Sequence, residues 1–255
     1  MLFPIGDDNS DRKLTPVVNY ILISLNILVF IYFQDWGHNI HFTYSYATVP
    51  AEILSGHDLI TDSQMIPDPY TGGMVEMPGL QPTPIPVYLT LLTAMFMHGG
   101  FAHILGNMLY LWIFGDNLEN MMGHRNYLFF YLLCGIIAGL SHVFSTLYFN
   151  QSIVTPSLGA SGAIAGVLGG YMLLFPTRGV HVWILWFIVS LPAFVVVGLW
   201  FVLQVISGTG SLGGQEAEQI AYAAHIGGFI AGFALVKFFI QRPQVLPPKR
   251  RRALF

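Results

Sequence analysis

"PSLGASGAIAG" runs from Pro156 to Gly166 and opens an apolar segment that ends near Leu174. Positions 161–174 make about 14 residues, or about 21 Å of helix at about 1.5 Å per residue. The hydrocarbon core of a bilayer is about 30 Å thick, so this helix does not cross it from edge to edge. Its Ser161 end is expected below a membrane surface, reached by irregular backbone that protein or a water-filled cavity surrounds. Ser161 sits there among glycines and alanines, with no side-chain partner in its own segment.

Composition makes the membrane the right solvent to argue in. The chain has 255 residues, 54% hydrophobic and 9% charged, against about 25% charged in a typical soluble domain. A net charge of −3 gives no sign of a nucleic-acid partner. The single cysteine, Cys134, excludes an intramolecular disulfide and reads as a small core residue. The first apolar run follows Arg12 and Lys13 but lacks the small-residue cleavage site of a signal peptide.

Six apolar segments are expected as helices: 17–33, 101–121, 126–148, 161–174, 181–206 and 219–240. All ten basic residues then fall on one side. Arg12 and Lys13 precede the first segment, Arg125 and Arg178 lie in alternate connections, and Lys237, Arg242, Lys249, Arg250, Arg251 and Arg252 end the chain. By the positive-inside rule both termini are cytoplasmic. "PKRRR" near the end reads as a topology anchor, with contact to anionic lipid as the alternative. The expectation is an all-α polytopic membrane protein: one domain over 1–255, a long outer loop at 34–100 and a short basic tail at 241–255. Within that loop, "PIPVYLTLLTAMFMH" (84–98) reads as a segment dipping into the membrane. A seventh span would invert everything after it and break the charge partition.

Polar groups in lipid are costly and mark function by default. Three clusters stand out: His98, His103 and Asn107 in "HGGFAHILGN", Ser161 in "GASG", and His225 in "AAHIGGFIAG". Singly, each has a plain explanation as helix-packing material or interhelical hydrogen bonding. Together they sit at similar depth toward the outer side. Gly162, Gly166 and Gly170 on one helix, with Ala221, Gly228 and Gly232 beside His225 on another, permit close backbone approach. That brings the Ser161 hydroxyl toward the His225 imidazole, the pairing of a nucleophile with its general base. Asp116 and Glu119 belong at the far end of their helix, and Glu216 and Glu218 lie above His225. A dyad is therefore expected, not a triad. His103, Asn107 and the Ser161 backbone N–H are candidates for an oxyanion hole.

With these residues in order, the sequence resembles the rhomboid family of intramembrane serine proteases. "HGGFAHILGN" (98–107), "GASG" (159–162) and "AHIGG" (224–228) carry the resemblance, which spans roughly 90–235 and extends to "GDNLENMMG" (115–123). It implies a six-helix bundle without a sheet and hydrolysis of peptide bonds in or beside transmembrane segments of membrane-protein substrates. It implies Ser161 as nucleophile, His225 as base, and His103 and Asn107 as oxyanion donors. His98, Gly159, Gly162 and Gly228 are supporting positions. No metal or organic cofactor is implied. By the same resemblance 207–218 is a mobile cap, and the fifth helix a lateral gate for substrate entering from the lipid. Two departures stand: the first outer loop has no Arg, and Ala165 occupies a position where some relatives stack a Tyr on the base. The expected location is a bacterial inner membrane, with the site open to the outer side.

Rival classes make different demands. A channel or transporter would keep its activity in Ser161→Ala. A zinc enzyme on His98, His103 and His225 would lose activity to a chelator, although no His-Glu-x-x-His is present. An inactive relative that binds membrane helices would keep the fold without the dyad.

Overall fold

The computed structural model describes residues 3–67, 72–210 and 216–241. Strand β1 is Phe3–Asp7. Helix α1, Val17–Leu28, continues through a π-helical turn at Val29–Phe33. Short helices α2 (Ile40–Tyr46) and α3 (Pro50–Ser55), a hairpin of β2 (Gln64–Pro67) and β3 (Met74–Met77), and α4 (Thr90–Thr93) fill the long loop. Then come α5 (Phe101–Met122), α6 (His124–Tyr148) and α7 (Ser161–Leu174). Strands β4 (Gly179–Ile184) and β5 (Phe187–Pro192) precede α8 (Ala193–Gly210) and α9 (Glu216–Phe239). The basic tail beyond 241, residues 211–215 of the expected cap, and the side chains of Ala221, Glu216 and Glu218 lie outside the described residues.

Among the described residues, α6 and the Tyr222–Phe239 part of α9 are each long and apolar enough to cross a membrane. The Val87–Phe96 segment meets the criterion jointly with α5 but is bent from it by 82°. The turn from α5 to α6 takes a single residue, Gly123, at φ 75, a backbone that side chains rarely adopt.

The fifth apolar segment corrects two expectations, the helix over 181–206 and the absence of a sheet. β4 and β5 pair antiparallel, Ile184 opposite Phe187, with Leu185 at φ 53 in the two-residue turn. β1 adds to β4 and completes a three-stranded sheet. The stretch "GVHVWILWFIVSLP" is as apolar as a span, but it is rich in β-branched and aromatic residues and ends in Pro192. Hydrophobicity alone does not separate a strand pair from a helix in such a run. Helix α8 therefore starts at Ala193, and its last described turn extends past the expected end to Gly210.

The end of the bundle distant from Ser161 is held by a buried polar clasp. Pro16 precedes α1 and gives no side-chain cap. The Glu119 carboxylate of α5 supplies one instead, accepting the Val18 and Asn19 N–H groups at 2.9 and 2.7 Å. Asn120 accepts from the N–H groups of Lys13 and Leu14, both at 3.0 Å. Arg12 pairs with Asp116 at 2.5 Å, and Arg178 pairs with Asp11 at 2.5 Å while lying 4.0 Å over the Phe175 ring. Asp7 accepts from the Tyr171 hydroxyl at 2.5 Å and from the Asn117 amide at 2.7 Å. The N-terminal strand is thereby tied to α5 and α7.

Between α7 and α9 the backbones touch. A Cβ on Gly228 would stand 2.1 Å from the Gly162 carbonyl oxygen, and one on Gly232 would stand 1.9 Å from that of Gly166. Cys134 of α6 is fully buried against the same Gly166.

Two outcomes are expected. Gly232→Ala forces the helices apart and costs about 1–3 kcal/mol. Gly198→Ala, whose Cβ would meet only Met172 at 3.8 Å, is neutral or stabilising by up to about 1 kcal/mol. Reversible unfolding in detergent measures both. Burial pushes the Asp7 carboxyl up to about 7, with Asp116 adding to it and Tyr171, Arg178 and Asn117 opposing. The native state then keeps a proton that the unfolded chain releases near pH 4. Asp7's contribution to stability is full below about pH 4 and is lost as pH rises to about 7. Asp7→Asn should flatten that part of the pH dependence of the melting temperature.

Candidate active site

The backbone that leads to Ser161 solves the problem posed by the short helix. It is irregular, yet its polar groups are paired with protein. Thr48 and Ser157 exchange N–H···O bonds at 2.9 and 2.8 Å, and the Gly159 N–H donates to the Ala94 carbonyl at 2.8 Å. The long first loop thus supplies the lining that lets non-helical chain run there. Gly159 has φ +125, and a Cβ there would stand 2.9 Å from the His103 ring. Ser161 is the first residue of α7, where N–H groups have no intrahelical acceptor.

Ser161, His225, His103 and Asn107 all line one cavity of about 680 Å³. His103 and Asn107 come from the first two turns of α5, His225 from α9, and Gly159 and Gly162 complete the floor near Ser161. Gly162 packs toward Ala138 and Ala224, and Gly228 toward Gly162, so the glycines named with the site set the approach of its two main helices. His103 Nδ1 accepts the Gly99 N–H at 3.3 Å. In the neutral ring this leaves the proton on Nε2, a donor. Asn107 Nδ2 is buried with no hydrogen-bond partner among the described residues. His98 does not line the cavity. It is fully buried behind His103, ring centroids 5.1 Å apart and edge-on, and Gln34 pins its backbone by accepting from the His98 N–H and donating to its carbonyl, both at 2.9 Å.

The Ser161–His225 hydrogen bond expected of a dyad is not formed. His225 Nε2 is buried without a partner among the described residues. Its other nitrogen, Nδ1, lies 2.7 Å from Gln204 Oε1 on α8. Trp200, one turn earlier on α8, meets the His225 ring at 5.9 Å with planes tilted 41°. With Ala165 at the position where some relatives stack a Tyr, contacts to the His225 ring come from these two α8 residues. Their signal was available as an i, i+4 pair in "WFVLQ" (200–204), a polar residue inside an apolar run. Among the described residues no group of three or more His, Cys, Asp or Glu side chains has the arrangement to hold a metal ion, and His98, His103 and His225 do not form one.

A family model described as a Rhomboid domain matches residues 86–242. The chain belongs to the rhomboid family. It is 34% identical over 145 residues to Rhomboid protein 1, mitochondrial, of Saccharomyces cerevisiae, covering 56% of this chain and 40% of that protein. It is 34% identical over 153 residues to RHOMBOID-like protein 4 of Arabidopsis thaliana, covering 60% and 34%. It is 33% identical over 144 residues to Rhomboid protease GluP of Bacillus subtilis, covering 56% and 24%. The match thus spans well under half the length of each of these relatives. Rhomboid membership, together with the apolar helices, makes the chain an integral membrane protein.

Gly159→Ala should push the His103 ring from its place and strain the backbone held at φ +125. The variant's stability, followed as the thermal melt in detergent, is then expected to fall by about 1–3 kcal/mol.

Proposed function

We propose that this protein is an intramembrane serine endopeptidase that hydrolyses peptide bonds in or next to transmembrane segments of membrane-protein substrates. The observation that carries this reading is the glycine contact between α7 and α9, which sets Ser161 and His225 on one cavity with unpaired polar atoms around it. The relative named Rhomboid protease GluP adds support from outside the chain.

In the proposed reaction Ser161 Oγ attacks the scissile carbonyl carbon as His225 Nε2 takes its proton. The present lack of a Ser161–His225 bond suits a resting site, since catalytic hydrogen bonds often tighten only with substrate bound. The developing oxyanion accepts hydrogen bonds from His103 Nε2, Asn107 Nδ2 and the Ser161 N–H. His225 then gives its proton to the leaving amine, and water entering the cavity hydrolyses the acyl-enzyme. A helical substrate hides its carbonyl carbons, so scissile segments with small or helix-breaking residues are favoured.

The membrane arrangement belongs to the same proposal. One membrane domain carries six spanning helices, α1, α5, α6, α7, α8 and α9, with both termini cytoplasmic. The positive-inside partition supports this, and the clasp of Arg12, Asp116 and Arg178 at the end away from Ser161 agrees with it. Residues 84–98 dip into the bilayer beside α5. Substrates enter laterally past α8 from the lipid, and residues 207–218 act as the cap. A bacterial inner membrane is the proposed home, with the cavity opening outward; relatives carry both bacterial and mitochondrial names.

Purified protein in lipid should cleave a single-span membrane reporter. Ser161→Ala and His225→Ala should each lower kcat by about 10⁴-fold or more. Cleavage that survives in Ser161→Ala would overturn the serine mechanism, and binding without cleavage by the wild type would point to an inactive helix binder.

A further inference from the structure

We propose that Gln204 is a positioning residue for His225, accepting the Nδ1 proton so that Nε2 keeps its lone pair for Ser161. This rests on the proposed function. The contact is 2.7 Å, from imidazole Nδ1 to the carboxamide oxygen Oε1. A carboxamide oxygen only accepts, so the shared proton belongs to Nδ1. A neutral imidazole carries one N–H, and Nε2 is therefore the unprotonated nitrogen. That same Nε2 is buried without a partner among the described residues, on the cavity that Ser161 lines.

The ring plane is fixed as well as the tautomer. Trp200 covers one side of the ring from α8. Tyr222, one turn before His225 on α9, meets it edge-on at 6.5 Å with planes at 89°. His225 is thus held by two residues one turn apart on a neighbouring helix and by one on its own.

A bare interhelical hydrogen bond would fit the distance too, but it would be indifferent to the charge on the ring. The proposed role is not. When His225 takes the Ser161 proton it becomes an imidazolium, and its bond to Gln204 becomes charge-assisted and stronger. An interaction that strengthens on the way to the transition state raises kcat rather than binding. The choice of a neutral acceptor also has a physical reason. A carboxylate at this depth would have to be desolvated before the base is protonated, whereas a carboxamide costs far less to bury.

The groups facing His225 are few, which makes its titration readable. His103 faces the cavity from α5 and Tyr222 lies on α9 itself. α7 brings Ser161, α8 brings Trp200 and Gln204, and α6 brings Ser141 against the neighbouring Gly227; none of these is charged.

The test uses the full-length protein in lipid, with Gln204→Leu and Gln204→Glu, and follows fluorophosphonate labelling of Ser161 across pH alongside reporter cleavage. Gln204→Leu is expected to lower both rates by about 10–100-fold, the worth of a hydrogen bond to a charged group. Gln204→Glu restores an acceptor, so it should recover most of the labelling rate. Its negative charge should also move the acid limb of the pH profile to higher pH. Wild-type rates in Gln204→Leu, or an unmoved acid limb in Gln204→Glu, would overturn the role of Gln204. If Gln204→Leu does not fold, as its thermal melt would reveal, the acid limb of Gln204→Glu decides alone. Ser161→Ala runs beside them: if it still cleaves, the serine mechanism itself fails; if it is dead while Gln204→Leu is normal, only the present inference fails.

Discussion

Everything in this molecule is arranged around a contact between two backbones. Gly162 and Gly166 of α7 offer their carbonyl oxygens to Gly228 and Gly232 of α9 at distances no other residue permits. In lipid there is no hydrophobic drive to bring helices together, so close packing supplies the attraction and small residues make it available. The contact also sets the level of the candidate site. Ser161 precedes Gly162 by one residue and His225 precedes Gly228 by three, so closing the glycine faces brings both onto the same cavity. The long first loop and the polar clasp then act from the two ends of this pair.

Those two ends solve opposite problems. Near Ser161, chain without helical hydrogen bonds must be kept among apolar surroundings, and Thr48 and Ala94 of the first loop supply the missing partners. At the other end a helix start without a capping side chain must be satisfied, and Glu119 does so from a different helix. An unsatisfied buried backbone group costs on the order of 1–3 kcal/mol. The loop and the clasp are thus structural requirements of the same kind as the core.

Much of this was legible in the sequence, for a reason particular to membranes. The apolar lengths and the polar exceptions are both large signals, so helices α1, α5, α6, α7 and α9 and the residues Ser161, His225, His103 and Asn107 could be picked out by position. The fifth segment failed because the signal there was hydropathy, and "GVHVWILWFIVSLP" is hydrophobic whether it is helix or hairpin. β1 was missed for a related reason: a five-residue strand becomes stable only when β4 is beside it, and nothing local announces a partner so distant in sequence. Gln204 stands out in the sequence only as a polar residue inside an apolar run, and neither it nor Gln34 carries a sign of which ring or backbone it will meet. Cavity membership came from glycine spacing, but the absent Ser161–His225 bond is a matter of side-chain geometry that spacing does not encode.

The place of Gln204 has a consequence for how such a site would run. The proposed nucleophile and base lie on α7 and α9, whose backbones are packed directly together. The proposed orienting group lies on α8, which meets α9 through side chains: Phe201 stacks on Phe229 at 4.2 Å, and Trp200 and Gln204 meet His225. Side-chain contacts of this kind slide far more easily than backbone packed on backbone. If α8 is the element that yields to admit a substrate, the base loses its orientation while the entrance is open and regains it when α8 returns. Chemistry would then wait for closure around the substrate. That ordering needs no extra device, because the helix that moves also carries the acceptor for the base.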